Sequence, residues 1–259
     1  IVASRRTLKQ FGLADFTETS VELIGNESQY GSNAKITGCR ELVMKIAAKH
    51  PDAAGVGIML KEAVGLGLAS PPGLSGFAGA RPSPSPVVRL FSFALPKGTT
   101  KIQVEMDGVI FDVPDSLGIT LDRQAIARPN VPASPTDATV SVPLIKLAWG
   151  RSGDKGDKAN IGIIARKPEY LPYIYAALTE QVVAHRFGHF LPEGATDRSE
   201  DYVERYLMPG TDSINFLIHD VLGGGGMASI RNDAQGKGYG QLMLDATIPV
   251  SAAIARQLK

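Results

Sequence analysis

Apolar and polar residues along this chain change period several times, and each change marks an element. Residues 20–24 form a short strand-like run, followed by a polar turn through 25–31. Over 38–50 (GCRELVMKIAAKH), Leu42, Val43, Ile46 and Ala47 recur at helical spacing, and His50-Pro51 closes the pattern. The apolar run 54–60 then predicts a buried strand, so helix and strand alternate as in an α/β sheet. Proline and glycine crowd 71–86, which predicts an irregular loop. Alternation resumes over 87–95, and 101–113 predicts a hairpin turning at Asp107-Gly108, a pair suited to a type I′ turn.

A Pro/Ser/Thr-rich stretch separates this part from the remainder and divides the chain into 1–115, a linker at 116–142, and 143–259. The last part predicts strands at 144–150 and 160–166, then a helix at 168–188 opened by Pro168 and ended by Gly188. A strand at 201–210, a helix at 211–223 and a closing strand at 239–250 complete it. The order ββαβαβ suits an antiparallel sheet with helices on one face, a split α+β sandwich. The fold class is therefore α/β plus α+β.

Composition narrows the function classes. The chain has 259 residues, 44% hydrophobic and 20% charged, enough for a sizeable core. Its 27 basic and 26 acidic side chains nearly cancel, so the surplus that general nucleic-acid binding uses is missing. No apolar run has the length of a membrane-spanning helix. The single cysteine, Cys39, makes neither an internal disulfide nor a zinc site by itself and is read as a packing residue. These features are those expected of a cytoplasmic protein.

Two stretches carry candidate chemistry. The first, GRSGDKGDKAN at 150–160, places five charges and three glycines on a connection between two strands. The amides of Gly153 and Gly156, with Arg151, Ser152, Lys155 and Asn160, could surround a phosphate or carboxylate. Asp154 and Asp157 could act as acid and base, or could brace the basic side chains and cap turns. A solvated polar turn has the same composition. The second stretch is LGGGGMASIRNDAQGKGYG at 222–240. A helix stop needs one glycine, so the run Gly223, Gly224, Gly225, Gly226 implies close backbone approach to a ligand or another chain, with Arg231 and Lys237 in reach. A flexible or interface loop is the plainer reading. No P-loop, nucleophile elbow, dinucleotide fingerprint or zinc signature is present.

Of the histidines, His185 and His189 stand four apart but straddle the expected helix end at Gly188, so no metal or other cofactor is expected. His219, beside Asp220 and just before the glycines, is the best placed for proton transfer, although a packed helical histidine has the same surroundings. Trp149 ends a strand beside the charged loop and could simply cover the sheet edge.

The segments GRSGDKGDKANIGIIAR and RYLMPGTDSINFLIHDVLGGGGMASIRNDAQGKGYGQLML, with FTETSVELIGNESQYG and GARPSPSPVVRLFSF before them, resemble the acyclic terpene utilisation protein A family over about 11–249. The resemblance implies the tail of a large α/β domain at 1–115 followed by a small ferredoxin-like domain at 143–259. It further implies that much of the larger domain lies outside this chain and would be one partner, with a homo-oligomer as another. It links the protein to breakdown of citronellol- and geraniol-type terpenes through branched acyl-CoA thioesters, without fixing the step. A CoA thioester suits loops rich in amides and cations. These residues support two readings. One is an enzyme, or its ligand-binding part, for hydration, dehydration or lyase chemistry, with Asp154, Asp157 or His219 as acid/base. The other is a non-catalytic assembly module. In the first the two loops converge on one pocket; in the second they are covered by protein.

Overall fold

The computed structural model describes residues 1–258 apart from 71, 77, 78, 80, 116, 117, 119 and 123; parts of the loop expected at 71–86 and of the linker at 116–142 thus lie outside the described residues. Helix α1 (Val2–Gln10), strands β1 (Glu18–Ile24) and β2 (Val43–Lys49) and helix α2 (Ala53–Leu68) come first. The strand at 20–24 is present and longer than expected. The next two expectations are reversed. The segment read as a helix over 38–50 holds β2, paired antiparallel with β1 from Glu18↔Lys49 to Ile24↔Val43. A partner strand and the bonds of Lys45 to Glu22 (3.2 Å) and Lys49 to Glu18 (2.6 Å) outweigh the helical spacing. The run read as a strand at 54–60 belongs to α2, whose N-cap Asp52 accepts from the Ala54 N–H at 2.8 Å. Continuous apolarity does not separate the two structures; length and the cap do.

Residues 90–130 group apart from 1–89 and 131–259. They contain the expected hairpin, β3 (Ile102–Met106) and β4 (Val109–Val113), in register Ile102↔Val113 to Met106↔Val109. Asp107 (φ 52°) and Gly108 (φ 78°) both take the left-handed conformation that a type I′ turn requires. The strand expected at 87–95 is irregular chain.

The last part contains β5 (Val140–Pro143), α3 (Leu144–Leu147), β6 (Ala148–Lys155), β7 (Lys158–Ala165), α4 (Leu171–Ala177), α5 (Glu180–Arg186), α6 (Ser199–Tyr202), β8 (Val203–Met208), β9 (Ser213–Ile218), α7 (Gly225–Ala228), α8 (Tyr239–Leu244), β10 (Thr247–Val250) and α9 (Ala252–Gln257). Strands β6-β7-β9-β8 form one antiparallel sheet, and β5 pairs with β10 apart from it. One sheet face carries Ala159, Ile161, Ile163, Val203, Ile214, Phe216 and Ile218 into the main core, against Ile174 of α4, Val183 of α5 and Met243 of α8. The antiparallel sheet with helices on one face is as expected, but the order ββαβαβ is not. The helix expected at 211–223 is strand β9. Its apparent cap residue Asp212 sits at φ 47° in the β8–β9 turn, while Ile214, Phe216 and Ile218 alternate into the core. The strand expected at 239–250 is α8 and then β10, and buried Tyr239, Leu242 and Met243 show the helical spacing. The helix at 168–188 breaks at Leu178, and Thr179 caps its second half. The strand expected from 144 starts only at Ala148.

The β1–β2 segment docks on this sheet domain mainly by polar contacts. Asn33 exchanges bonds with Arg186, His189 Nε2 donates to the Gln29 carbonyl (2.8 Å), Lys45 reaches the Ile230 carbonyl (2.8 Å), and Glu22 accepts from the Asn232 N–H.

Candidate functional site: an open sheet face beside two joined loops

Strand alternation leaves the second face of the four-stranded sheet outside the core. Cross-strand pairs order its side chains in rows. Trp149, Ile164, Ser213 and Met208 make one row; Arg151, Gly162, Asn215 and Tyr206 the next; Gly153, Asn160, Leu217 and Glu204 a third. Lys155 and Lys158 pair at the end of the β6–β7 hairpin.

The two loops singled out in the sequence meet at the edge of this face. Asp157 Oδ1 accepts from the N–H groups of Leu222 (3.1 Å) and Gly224 (2.8 Å), and the Asp157 carbonyl accepts from the Val221 N–H (3.2 Å). Gly223, Gly224 and Gly225 all have positive φ (67°, 98° and 76°), and a Cβ at Gly225 would lie 2.8 Å from the Gly156 carbonyl carbon. Gly225 is thus needed for the loops to touch each other, and the positive φ of its two predecessors shapes the approach. Gly156 itself turns at φ 65°. Buried Ser152 fixes the far end of the second loop. Its hydroxyl lies 2.6 Å from the Gly236 carbonyl and accepts from the Gly240 N–H at 2.8 Å. Helix α8 can then lie directly on β6, because neither Gly240 nor Gly150 carries a side chain at the contact.

Between the loops is a groove of about 350 Å³ lined by Arg151, Ser152, Gly153, Asp154, Lys155, Asn160, Gly162 and Lys237. The Lys237 ammonium lies over Gly153, at 3.1 Å from where a Cβ would be, and 3.9 Å from Asp154 Oδ1. Gly162 opens the floor, since a Cβ there would meet nothing closer than the Arg151 carbonyl oxygen at 3.9 Å. Three cations around a hollow in which Asp154 is the only carboxylate can hold a phosphate or carboxylate. A larger cleft of about 590 Å³ between α1 and α2 is mostly apolar, with one cation, Lys61, beside Glu62.

Not every residue expected at the site reaches the groove. Arg151, Ser152, Gly153, Asp154, Lys155, Asn160 and Lys237 line it, whereas Asp157, Gly156 and Gly223–Gly226 build the loop junction beside it. Arg231 bonds protein: its guanidinium donates to the carbonyls of Val221 (2.6 Å) and Phe190 (3.2 Å) and lies over the Phe190 ring. His219, at the end of β9, bonds Glu204 Oε1 through Nε2 at 2.6 Å, and the Tyr206 hydroxyl donates to Glu204 Oε2. These two donors, Tyr206 first, hold the Glu204 carboxyl below its ordinary pKa. Glu204 and Tyr206 were missed because the segment 201–210 shows only alternation, and the turn that sets β8 beside β9 brings them to His219. His185 bonds the Gln181 carbonyl through Nδ1, and burial lowers the pKa of His189. Among the described residues no group of three or more His, Cys, Asp or Glu could hold a metal, and no helix is long and apolar enough to cross a membrane.

Residues 2–106 match the family model described as acyclic terpene utilisation family protein AtuA, and residues 142–249 match the AtuA ferredoxin-like domain. No curated protein and no solved structure matches the chain.

Proposed function

From the premise that this chain belongs to the acyclic terpene utilisation family AtuA, as an AtuA-like protein with a ferredoxin-like domain, we propose that its open sheet face binds a branched, terpene-derived acyl-CoA thioester. The observation that carries this reading is the groove of Arg151, Lys155 and Lys237 over Gly153 and Gly162, a cationic hollow at the meeting of two ordered loops. The phosphates of the CoA part pair with the three cations, and Asn160 offers an amide to the polar arm. The reaction class is hydration, dehydration or lyase chemistry on the acyl part. His219 is the proton-transfer candidate: its Nε2 bonds the Glu204 carboxylate, which orients the ring and leaves Nδ1 as the nitrogen for proton exchange. Asp154 stands beside Lys237 as the groove's own carboxylate.

A second reading, an assembly module, is favoured by the exposed Val21, Met44 and Ile46 on the β1–β2 ribbon.

Calorimetric titration with citronellyl-CoA and with free CoA, on the wild type and on an Arg151→Ala/Lys237→Ala variant, tests the first reading. Saturable binding that weakens at least tenfold in a variant with unchanged circular dichroism supports it. Binding indifferent to both substitutions, or no binding by the folded protein, removes the groove as the site.

A further inference from the structure

Resting on that reading, we infer that the row Trp149, Ile164 and Met208 on the open sheet face is the subsite for the short branched apolar chain of the ligand whose anionic end the groove holds. The three side chains stand on β6, β7 and β8 in one cross-strand row, with only the small Ser213 between the last two. All three are large, apolar and exposed, at 51%, 44% and 49%. Such a row on the uncovered face of a sheet costs solvation unless something apolar lies on it.

Continuity with the groove settles which chemistry that is. Trp149 and Arg151 are two residues apart on the same face of β6, and Ile164 and Gly162 are two apart on β7. Two residues of strand span about 7 Å, so the apolar row begins where the cationic hollow ends. A macromolecular partner would need a broad apolar patch, and this one is a single row flanked by Arg151, Asn215 and Tyr206 on the next. It fits a chain of a few carbons attached to a charged head. The Trp149 ring is already held in place: the Arg166 guanidinium lies 4.7 Å from its centroid while donating to the Ile145 carbonyl at 3.1 Å. Cation–π stacking on one face leaves the rest of the indole as a preformed wall.

Trp149 is the only tryptophan of the chain, so its emission reports this row alone. Free CoA and citronellyl-CoA are titrated into the wild type, with calorimetry for binding and tryptophan fluorescence for the row. The expected result is that the thioester shifts the emission to the blue on binding and free CoA does not. An Ile164→Ser/Met208→Ser variant should reduce the thioester's affinity advantage over free CoA about tenfold. Both side chains are exposed, so the core is untouched, and circular dichroism checks the fold. Thioester binding with no change in Trp149 emission, or an affinity advantage unaltered in the variant, overturns the inference while the groove stands. Absence of binding by either ligand overturns the groove, and the apolar subsite with it.

Discussion

Replacing Gly225 by alanine tests whether the glycine run exists for loop-to-loop contact. Two costs add at this position. An L-residue at φ 76° loses about 1–2 kcal/mol to left-handed strain. The new Cβ also overlaps the Gly156 carbonyl, with the carbonyl carbon at 2.8 Å, and this neighbour is backbone with no rotamer to yield. Relief requires the Gly156 turn to retreat, which stretches the bonds of Asp157 to Leu222 and Gly224; one charge-assisted hydrogen bond is worth about 1.5–3 kcal/mol. The expected total is roughly 2.5–5 kcal/mol. Gly226 is the internal control. Its φ is not positive and its Cβ would meet only the flexible Gln235 side chain at 3.2 Å. Gly226→Ala should therefore lie within about 1 kcal/mol of wild type, since alanine also restricts the unfolded chain. Urea unfolding followed through Trp149, which stands in the same domain, gives the comparison. With a slope of about 1–3 kcal/mol per molar, Gly225→Ala should lower the midpoint by at least about 1 M and Gly226→Ala hardly at all. Equal midpoints for the two variants would refute the argument that the Gly156 contact dictates the glycines.

Two further outcomes are expected. Gly162→Val places a β-branched side chain in extended backbone with no close neighbour, so stability should hold or rise by about 0.5–1 kcal/mol, while CoA binding measured by calorimetry falls because the groove floor is filled. Glu204→Gln removes a carboxylate whose folded-state pKa is lowered by Tyr206 and His219. A lowered carboxylate pKa stabilises the fold above the unfolded-state value and loses that contribution as pH falls through the folded one. Wild type should exceed the variant by no more than about 1 kcal/mol at pH 6, the pair being partly exposed, and the gap should narrow in urea titrations as pH falls below the ordinary carboxylate range.

The sequence disclosed local chemistry better than pairing. Asp107-Gly108 specifies its own turn, and the charge and glycine of 150–160 mark the β6–β7 connection, because turn preferences are written in the residues that make the turn. The exchange of helix and strand over 38–68 shows the opposite case. The partner that makes 43–49 a strand lies two dozen residues earlier, at 18–24, and the spacing of Leu42, Val43, Ile46 and Ala47 satisfies a helix equally well. At 211–223, Thr211-Asp212 and the following glycine imitate helix boundaries, although the alternation of Ile214, Phe216 and Ile218 was there to be read. The candidate site was legible as two loops, whose convergence is visible in the structure through Ser152 and Asp157. The open face was not, since its rows come from four strands and only register assembles them.

The docking of the β1–β2 segment gives the chain a built-in order of disassembly. Its own core consists of Leu8, Phe16 and Met59, whereas the sheet domain buries a far larger cluster. What joins the two is chiefly a set of polar contacts, with His189 against the Gln29 carbonyl and close to Gly31 among them. Burial disfavours the charged ring, so its contribution is present above the free histidine pKa and is lost as pH falls through the lowered one. Such a segment opens at a free energy below that of global unfolding. Mild acid or denaturant should then unlatch the ribbon first, with its amides exchanging hydrogen while those of β7 and β9 stay protected, and the ligand face would outlast the part of the chain that precedes it.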